Sequence, residues 1–189
     1  MAAVDELQPD MLGMIFYAPS PRYVQHLQPP KTKAQKVGVF VNEDPQRIIE
    51  TAEEYDLSYI QLHGDEDVET VKHLVKHGLK IIKVFLITDD MQTAQLEPYA
   101  PYCSYFLFDT KGAAPGGNGI KFNWNILKRY TLSVPFLLSG GISLNDIETL
   151  LQIKHPALAG VDVNSRFEVE PGVKNIELLK QFIHAFRDK

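Results

Sequence analysis

The chain has 189 residues, one-tenth of them aromatic, and a formal net charge of -5, which suits one well-filled core and not two, so a single domain over residues 1–189 is expected. Its Lys and Arg form no basic stripe, which argues against a nucleic-acid partner and leaves any phosphate to be held locally by backbone N–H groups. No apolar run approaches the ~20 residues of a membrane span, the start MAAVDELQPD lacks the regions of a signal peptide, and the lone Cys103 excludes an internal disulfide and a structural zinc set. A soluble, cytoplasmic protein with no membrane association and no metal is the expectation.

In chain order, Ala2 to Leu7 reads as the last turns of a helix stopped near Pro9, and Met11 to Tyr17 as the first strand, closed by the loop Pro19, Ser20, Pro21, Arg22. Val37 to Val41 is the second strand. Asp44 follows as a helix cap, with Pro45 at the first helical position and Ile48, Ile49 and Ala52 on one face. Tyr59 to Leu62 repeats the unit, with His63, Gly64 and Asp65 opening a helix that runs through Val68, Val71, Leu74 and Val75 to Gly78. Leu79 to Ile87 repeats it again, ahead of a weak helix through Met91, Ala94 and Leu96. Tyr105 to Phe108 is an apolar strand ending abruptly in Asp109, and Gly112, Gly116, Gly117 and Gly119 mark the loop after it. A short helix with Trp124, Ile126 and Leu127 leads to the strand Val134 to Leu138. Ser139, Gly140 and Gly141 close that strand, and Ser143 with Asp146 forms a capping box. Ala157 to Val163 is the last strand, and the terminal helix from about Lys174 carries Ile176, Leu179, Ile183 and Phe186 on one face.

Short, nearly continuous apolar strands alternating with amphipathic helices predict a parallel sheet buried on both faces, and the serial repeat favours an α/β TIM (β/α)8 barrel. Seven strands are legible where such a barrel needs eight. The helical remnant at Ala2 to Leu7 locates the deficit, so the first strand and most of the first helix are expected to be absent from this chain. Leu12 to Phe16 and Ala157 to Val163 would then each present an unpaired edge.

The C-terminal ends of barrel strands carry the chemistry, and phosphate commonly binds between the last two of the loops there. Here those loops are Ser139 to Ser143 and Asp162 to Gly172, with Gly140, Gly141, Asn164 and Ser165 as donors; a tight turn and a cap is the plainer alternative. Asp109 and Asp162 both end strands and are candidates for divided acid and binding roles, although Asp109 would also serve as a loop cap through Thr110 or Lys111. Arg22 could pair bidentately with a substrate carboxylate, although an arginine in such a loop is more often solvated. His63 reads as a substrate contact or as support for one. Cys103 shares a strand face with Asp109 but lies six residues earlier, roughly 20 Å below the active end at about 3.3 Å per residue, and reads as a core thiol. His26, His73, His77, His155 and His184 read as surface residues.

Taken together, SPRYV (Ser20 to Val24), VGVFVNE (Val37 to Glu43), IQLHGDE (Ile60 to Glu66), FDTKG with GGNG and FNW, LSGGI (Leu138 to Ile142) and GVDVNSRFE (Gly160 to Glu168) make the chain resemble the phosphoribosylanthranilate isomerases of tryptophan biosynthesis. The motifs occur in that family's order and cover almost the whole chain. The resemblance implies a barrel, no cofactor, and an Amadori rearrangement of N-(5-phosphoribosyl)anthranilate. It implies Asp109 as general acid, Arg22 on the anthranilate carboxylate, Asp162 orienting sugar and amine, and Gly140, Gly141, Asn164 and Ser165 on the phosphate of a small phosphosugar substrate. The family's general base is a cysteine in a KxCG-like motif at the end of the first strand, and this sequence has no such motif. An N-terminally shortened isomerase, impaired in turnover and monomeric or homodimeric, is therefore expected. Asn123 stands where the family commonly has Asp. The alternatives are a non-catalytic barrel that binds phosphate and anthranilate, or another phosphosugar barrel such as indoleglycerol phosphate synthase or ribulose-phosphate epimerase, for which Lys83 lacks matching partners.

Overall fold

The computed structural model describes residues 2–24, 31–88, 92–110 and 124–187. Gly112, Gly116, Gly117, Gly119, Asn123 and His26 lie outside these residues. Seven strands are hydrogen-bonded in chain order, β1 (Met11–Ile15), β2 (Gln35–Phe40), β3 (Tyr59–Leu62), β4 (Ile81–Ile87), β5 (Cys103–Thr110), β6 (Phe136–Leu138) and β7 (Leu158–Val161). The described registers of this sheet are all parallel. The chain divides into two compact units, Met1–Val84 with Pro98–Tyr105 and Phe85–Glu97 with Phe106–Lys189, and both β4 and β5 begin in the first and end in the second.

In the first unit, helix α1 (Ala2–Asp5) precedes β1, and α2 (Pro45–Tyr55) and α3 (Val68–Lys76) follow β2 and β3. The start of α2 is as expected. The Asp44 carboxylate accepts from the N–H groups of Gln46 and Arg47, and Pro45 takes the first turn, where its missing N–H costs nothing. For α3 the cap is Asp67, which accepts from Thr70 N–H, and not the His63 to Asp65 cluster. The core joins Phe40 of β2, Ile60 and Leu62 of β3 and Ile81 of β4 to Ile48 and Ala52 of α2 and Val71 and Leu74 of α3. Phe16 stacks on Phe40 with ring centroids 5.2 Å apart. The outer edge of β1 is less bare than expected. Val24 N–H donates to Ile15 O at 2.8 Å, and Tyr23 forms a parallel bridge with Ile15.

Cys103 opens β5 in this unit, half-buried against the same core. Burial pushes its thiol from 9.0 up to about 12, and the nearby Lys83 charge only partly opposes this.

The second unit is built around aromatic packing. Tyr130 meets Phe108 and Phe136 edge-on at 5.3 and 5.2 Å, and Phe85 meets Phe106 at 5.1 Å. His155 belongs to this cluster rather than to the surface. Its ring lies 5.1 Å from Phe136, Nδ1 accepts from Ala157 N–H, and Nε2 is left to donate to the carbonyl of Tyr130. The segments expected as weak helices near Ala94 and Trp124 are 3-10 turns, at Thr93–Gln95, Glu97–Tyr99 and Trp124–Arg129. After α4 (Ile147–Gln152) and β7, an unforeseen antiparallel hairpin of β8 (Glu168–Glu170) and β9 (Val173–Lys174) leads into α5 (Ile176–Arg187). That helix buries Leu179, as expected, and also Phe182, which packs on Phe167 at 5.1 Å and was not among the residues expected on its inner face.

Two outcomes follow. Asp44→Ala removes the α2 cap and lowers stability by about 1 kcal/mol, read as a shift in the urea midpoint with an unchanged slope. A folded pKa above the unfolded value means that the Cys103 contribution is fully present below pH 9.0 and is lost between 9.0 and about 12. Cys103→Ala should therefore flatten the alkaline fall in stability, and the native thiol at pH 8 should react with an aromatic disulfide at least ~100-fold more slowly than a free cysteine.

Candidate active site

The first unit places Arg22 and His63 at the C-terminal ends of its strands. Arg22 follows β1 in a turn fixed by Ser20, whose Oγ accepts from Arg22 N–H at 3.1 Å, and by the Val24 bond to Ile15. Arg22 is half-buried. His63 continues from β3, its N–H donating to Phe40 O of β2 at 2.8 Å. Gln61 Nε2 lies 3.2 Å from His63 Nδ1. An amide nitrogen only donates, so Nδ1 is the acceptor and a neutral His63 carries its proton on Nε2.

Beneath this turn is a buried ion pair that the sequence reading missed. Lys83 of β4 and Glu66 are 3% and 6% exposed and 3.0 Å apart, so neither charge is left to water. Glu66 also accepts from Asn42 N–H at 2.9 Å and Gly64 N–H at 3.0 and 3.1 Å, and Lys83 Nζ donates to Leu62 O at 3.3 Å and Gly64 O at 2.7 Å. Asn42, at φ +50°, returns a bond by accepting from Asp65 N–H at 2.7 Å. The approach is close enough to require glycine at 64, because a Cβ there would lie 2.3 Å from Asn42 Oδ1 and 2.8 Å from its N. A lysine inside the apolar run IIKVFLI was the available signal, since a buried ammonium needs a carboxylate.

The second unit collects the remaining candidates. Asp109, half-buried, follows Phe108, whose carbonyl accepts from Ser139 N–H at 2.8 Å. The Ser139 hydroxyl donates to Asp162 Oδ2 at 3.0 Å, and Asp162 N–H donates to Leu138 O at 2.7 Å. Ser139 thus ties the end of β5 to the carboxylate that follows β7. Gly140 and Gly141 come next at φ +94° and +66°, a consecutive left-handed pair that other residues adopt only with strain.

The capping box is present, but it changes the expected anion site. Asp146 Oδ2 accepts from both the N–H and the hydroxyl of Ser143 at 2.7 and 2.8 Å. The short helical start is therefore occupied by a carboxylate of the chain itself, and donors for a phosphate come from the glycine turn and the next loop. In that loop Asn164 is half-buried, Ser165 is exposed, and Lys174 Nζ donates to Asn164 Oδ1 and to Glu168 Oε1, the latter at 2.7 Å. This lysine, reached through the unforeseen hairpin, was not among the residues expected near the phosphate loop.

Among the described residues no group of three or more His, Cys, Asp and Glu is placed to hold a metal ion, and no helix is long and apolar enough to cross a membrane. Lys83, weighed as a possible catalytic lysine, is committed to Glu66.

The family model for N-(5'-phosphoribosyl)anthranilate isomerase matches residues 2–185. A relative from Phocaeicola vulgatus, an N-(5'-phosphoribosyl)anthranilate isomerase, is 42% identical over 99% of this chain and 92% of its own. Two solved structures are also similar. That of phosphoribosyl anthranilate isomerase from Thermotoga maritima has a TM-score of 0.82 at 28% identity, covering 99% of this chain and 92% of that one. The other is the isomerase in complex with reduced 1-(o-carboxyphenylamino)-1-deoxyribulose 5-phosphate, with a TM-score of 0.78 at 26% identity, covering 99% of this chain and 91% of that one. The parallel strand order, the alternating helices and this agreement over nearly the whole length give the fold as an α/β TIM-type barrel, and the chain belongs to the N-(5'-phosphoribosyl)anthranilate isomerase family.

Proposed function

We propose that the family's reaction, the isomerisation of N-(5'-phosphoribosyl)anthranilate in tryptophan biosynthesis, is carried in this chain by Asp109 as general acid and by Arg22, His63, Asp162, Gly140, Gly141, Asn164 and Ser165 as substrate contacts. The observation that carries this reading is Ser139. One residue donates to the carbonyl before Asp109 and to the Asp162 carboxylate, and it is followed at once by the two left-handed glycines. An acid, an orienting carboxylate and a pair of glycine N–H groups are thereby tied to one another.

In this reading Asp109 gives its proton to the furanose ring oxygen as the C1'–O bond breaks, and the nitrogen lone pair forms the C1'=N bond of a Schiff base. Removal of the C2' proton then yields the enolamine, and tautomerisation gives 1-(2-carboxyphenylamino)-1-deoxyribulose 5-phosphate. Asp162, its Oδ2 held by the Ser139 hydroxyl, orients the sugar or the anthranilate amine. Arg22 pairs with the anthranilate carboxylate in the fork geometry that guanidinium provides. The phosphate sits on the N–H groups of Gly140 and Gly141 with Asn164 and Ser165 beside it. No cofactor is needed for these steps.

The proton at C2' is where this chain is poorly equipped. Its one cysteine, Cys103, lies at the start of β5 rather than at a C-terminal strand end, and a thiol pushed up to about 12 offers almost no thiolate at neutral pH. A positioned base at C2' is worth ~10²- to 10⁴-fold, and Cys103 is not placed to supply it. The enzyme is further proposed to act as a single domain, in the cytoplasm, as a monomer or homodimer and without nucleic acid.

Fluorescence decay of freshly generated phosphoribosylanthranilate tests the assignment. Turnover should rise at least ~100-fold when a strand ending in Lys-x-Cys-Gly is fused ahead of Met1, and Asp109→Asn should abolish that gain while leaving product-analogue affinity nearly unchanged. Analogue binding with no gain from the fusion would instead favour a barrel that binds without catalysing.

A further inference from the structure

We infer that the buried Glu66–Lys83 pair is a positioning device for His63, an inference that rests on the reading of His63 as a substrate contact. The carbonyls on either side of His63 are held by the same ammonium, since Lys83 Nζ donates to Leu62 O at 3.3 Å and to Gly64 O at 2.7 Å. Glu66 holds the same turn from its other polar group, accepting from Gly64 N–H at 3.0 Å, and it joins the turn to Asn42 after β2 by accepting from that residue's N–H at 2.9 Å.

His63 N–H is taken by Phe40 O, and its Nδ1 faces Gln61 Nε2. The backbone beside the imidazole and the imidazole itself are thus both fixed. A purely structural ion pair has no need to grip both carbonyls that flank one histidine. The chain also accepts a cost for it, because two buried charges are less favourable than apolar residues of the same shape unless a specific geometry is required. Lys83 and Glu66 are positioning residues here. They act on the turn that carries His63.

A double-mutant cycle tests this, using reduced 1-(o-carboxyphenylamino)-1-deoxyribulose 5-phosphate as the probe and calorimetry for Kd. His63→Ala should weaken binding about tenfold, and the charge-free pair Glu66→Gln with Lys83→Met should do the same, because a group displaced by about an ångström loses much of its contact. The triple variant should also be about tenfold weaker rather than about a hundredfold, since residues acting through one contact are not additive. Full multiplication, or a pair variant that binds within about twofold of the parent, overturns the positioning role and leaves His63 as a contact. An unchanged Kd for His63→Ala overturns the reading of His63 itself, and the device with it. A second measurement needs no variant and so survives a failure of the pair variant to fold. In the unaltered protein the amides of His63 and Gly64 should be as protected from hydrogen exchange without the probe as with it, and protection that rises more than about tenfold on binding overturns a pre-set turn.

Discussion

A single buried ammonium, Lys83, organises the C-terminal ends of β2 and β3 in the first unit. Its position within the apolar strand β4 would be untenable without Glu66, and loss of one partner from such a pair typically costs ~3–5 kcal/mol because the other charge is stranded. With both present, the two side chains meet the polar needs of turns that have no regular hydrogen-bond ladder of their own. Asn42 and Gly64 are the backbone ends of that arrangement. The turn after β2 and the turn after β3 are therefore one polar network, and the identity of residue 64 follows from how closely Asn42 approaches it.

The second unit solves the same problem differently. Its turns are held one by one: Ser139 lies between Phe108 O and Asp162, Ser143 is capped by Asp146, and Lys174 donates to Asn164. Below them an aromatic cluster of Phe106, Phe108, Tyr130 and Phe136 supplies a stiff floor, with the Tyr130 hydroxyl donating to Val134 O at 2.6 Å. Interlocked rings have few alternative packings. Asp109 leaves this floor at the next residue after Phe108, so its place is set by packing as much as by hydrogen bonds.

Much of the fold was legible because its signals are local. Tyr59 to Leu62 was located to the residue, and the Asp44–Pro45 start and the Ser143–Asp146 box were read from spacing alone. The hairpin at Glu168 to Lys174 was not, because Val169 and Val173 face solvent and what holds it is an ion pair between Glu168 and Lys174, which apolar periodicity does not report. Phe182 was missed on the inner face of α5 for a similar reason. Phe182 is chosen by Phe167, a partner outside the helix. Among candidate site residues, those at strand ends could be named from the chain, since a polar residue after an apolar run marks the sheet's edge. The network around Lys83 could not, because its members at 42, 64 to 66 and 83 come together only once three strands are in register.

The setting of Cys103 bears on how the protein withstands a changing cell. Oxidants and electrophiles act on thiolate, and a sulfhydryl with a pKa of about 12 holds only ~10⁻⁵ of itself in that form at pH 7. The sulfur at the foot of β5 therefore serves the core as volume rather than as a reactive thiol, unlike an exposed, acidic cysteine.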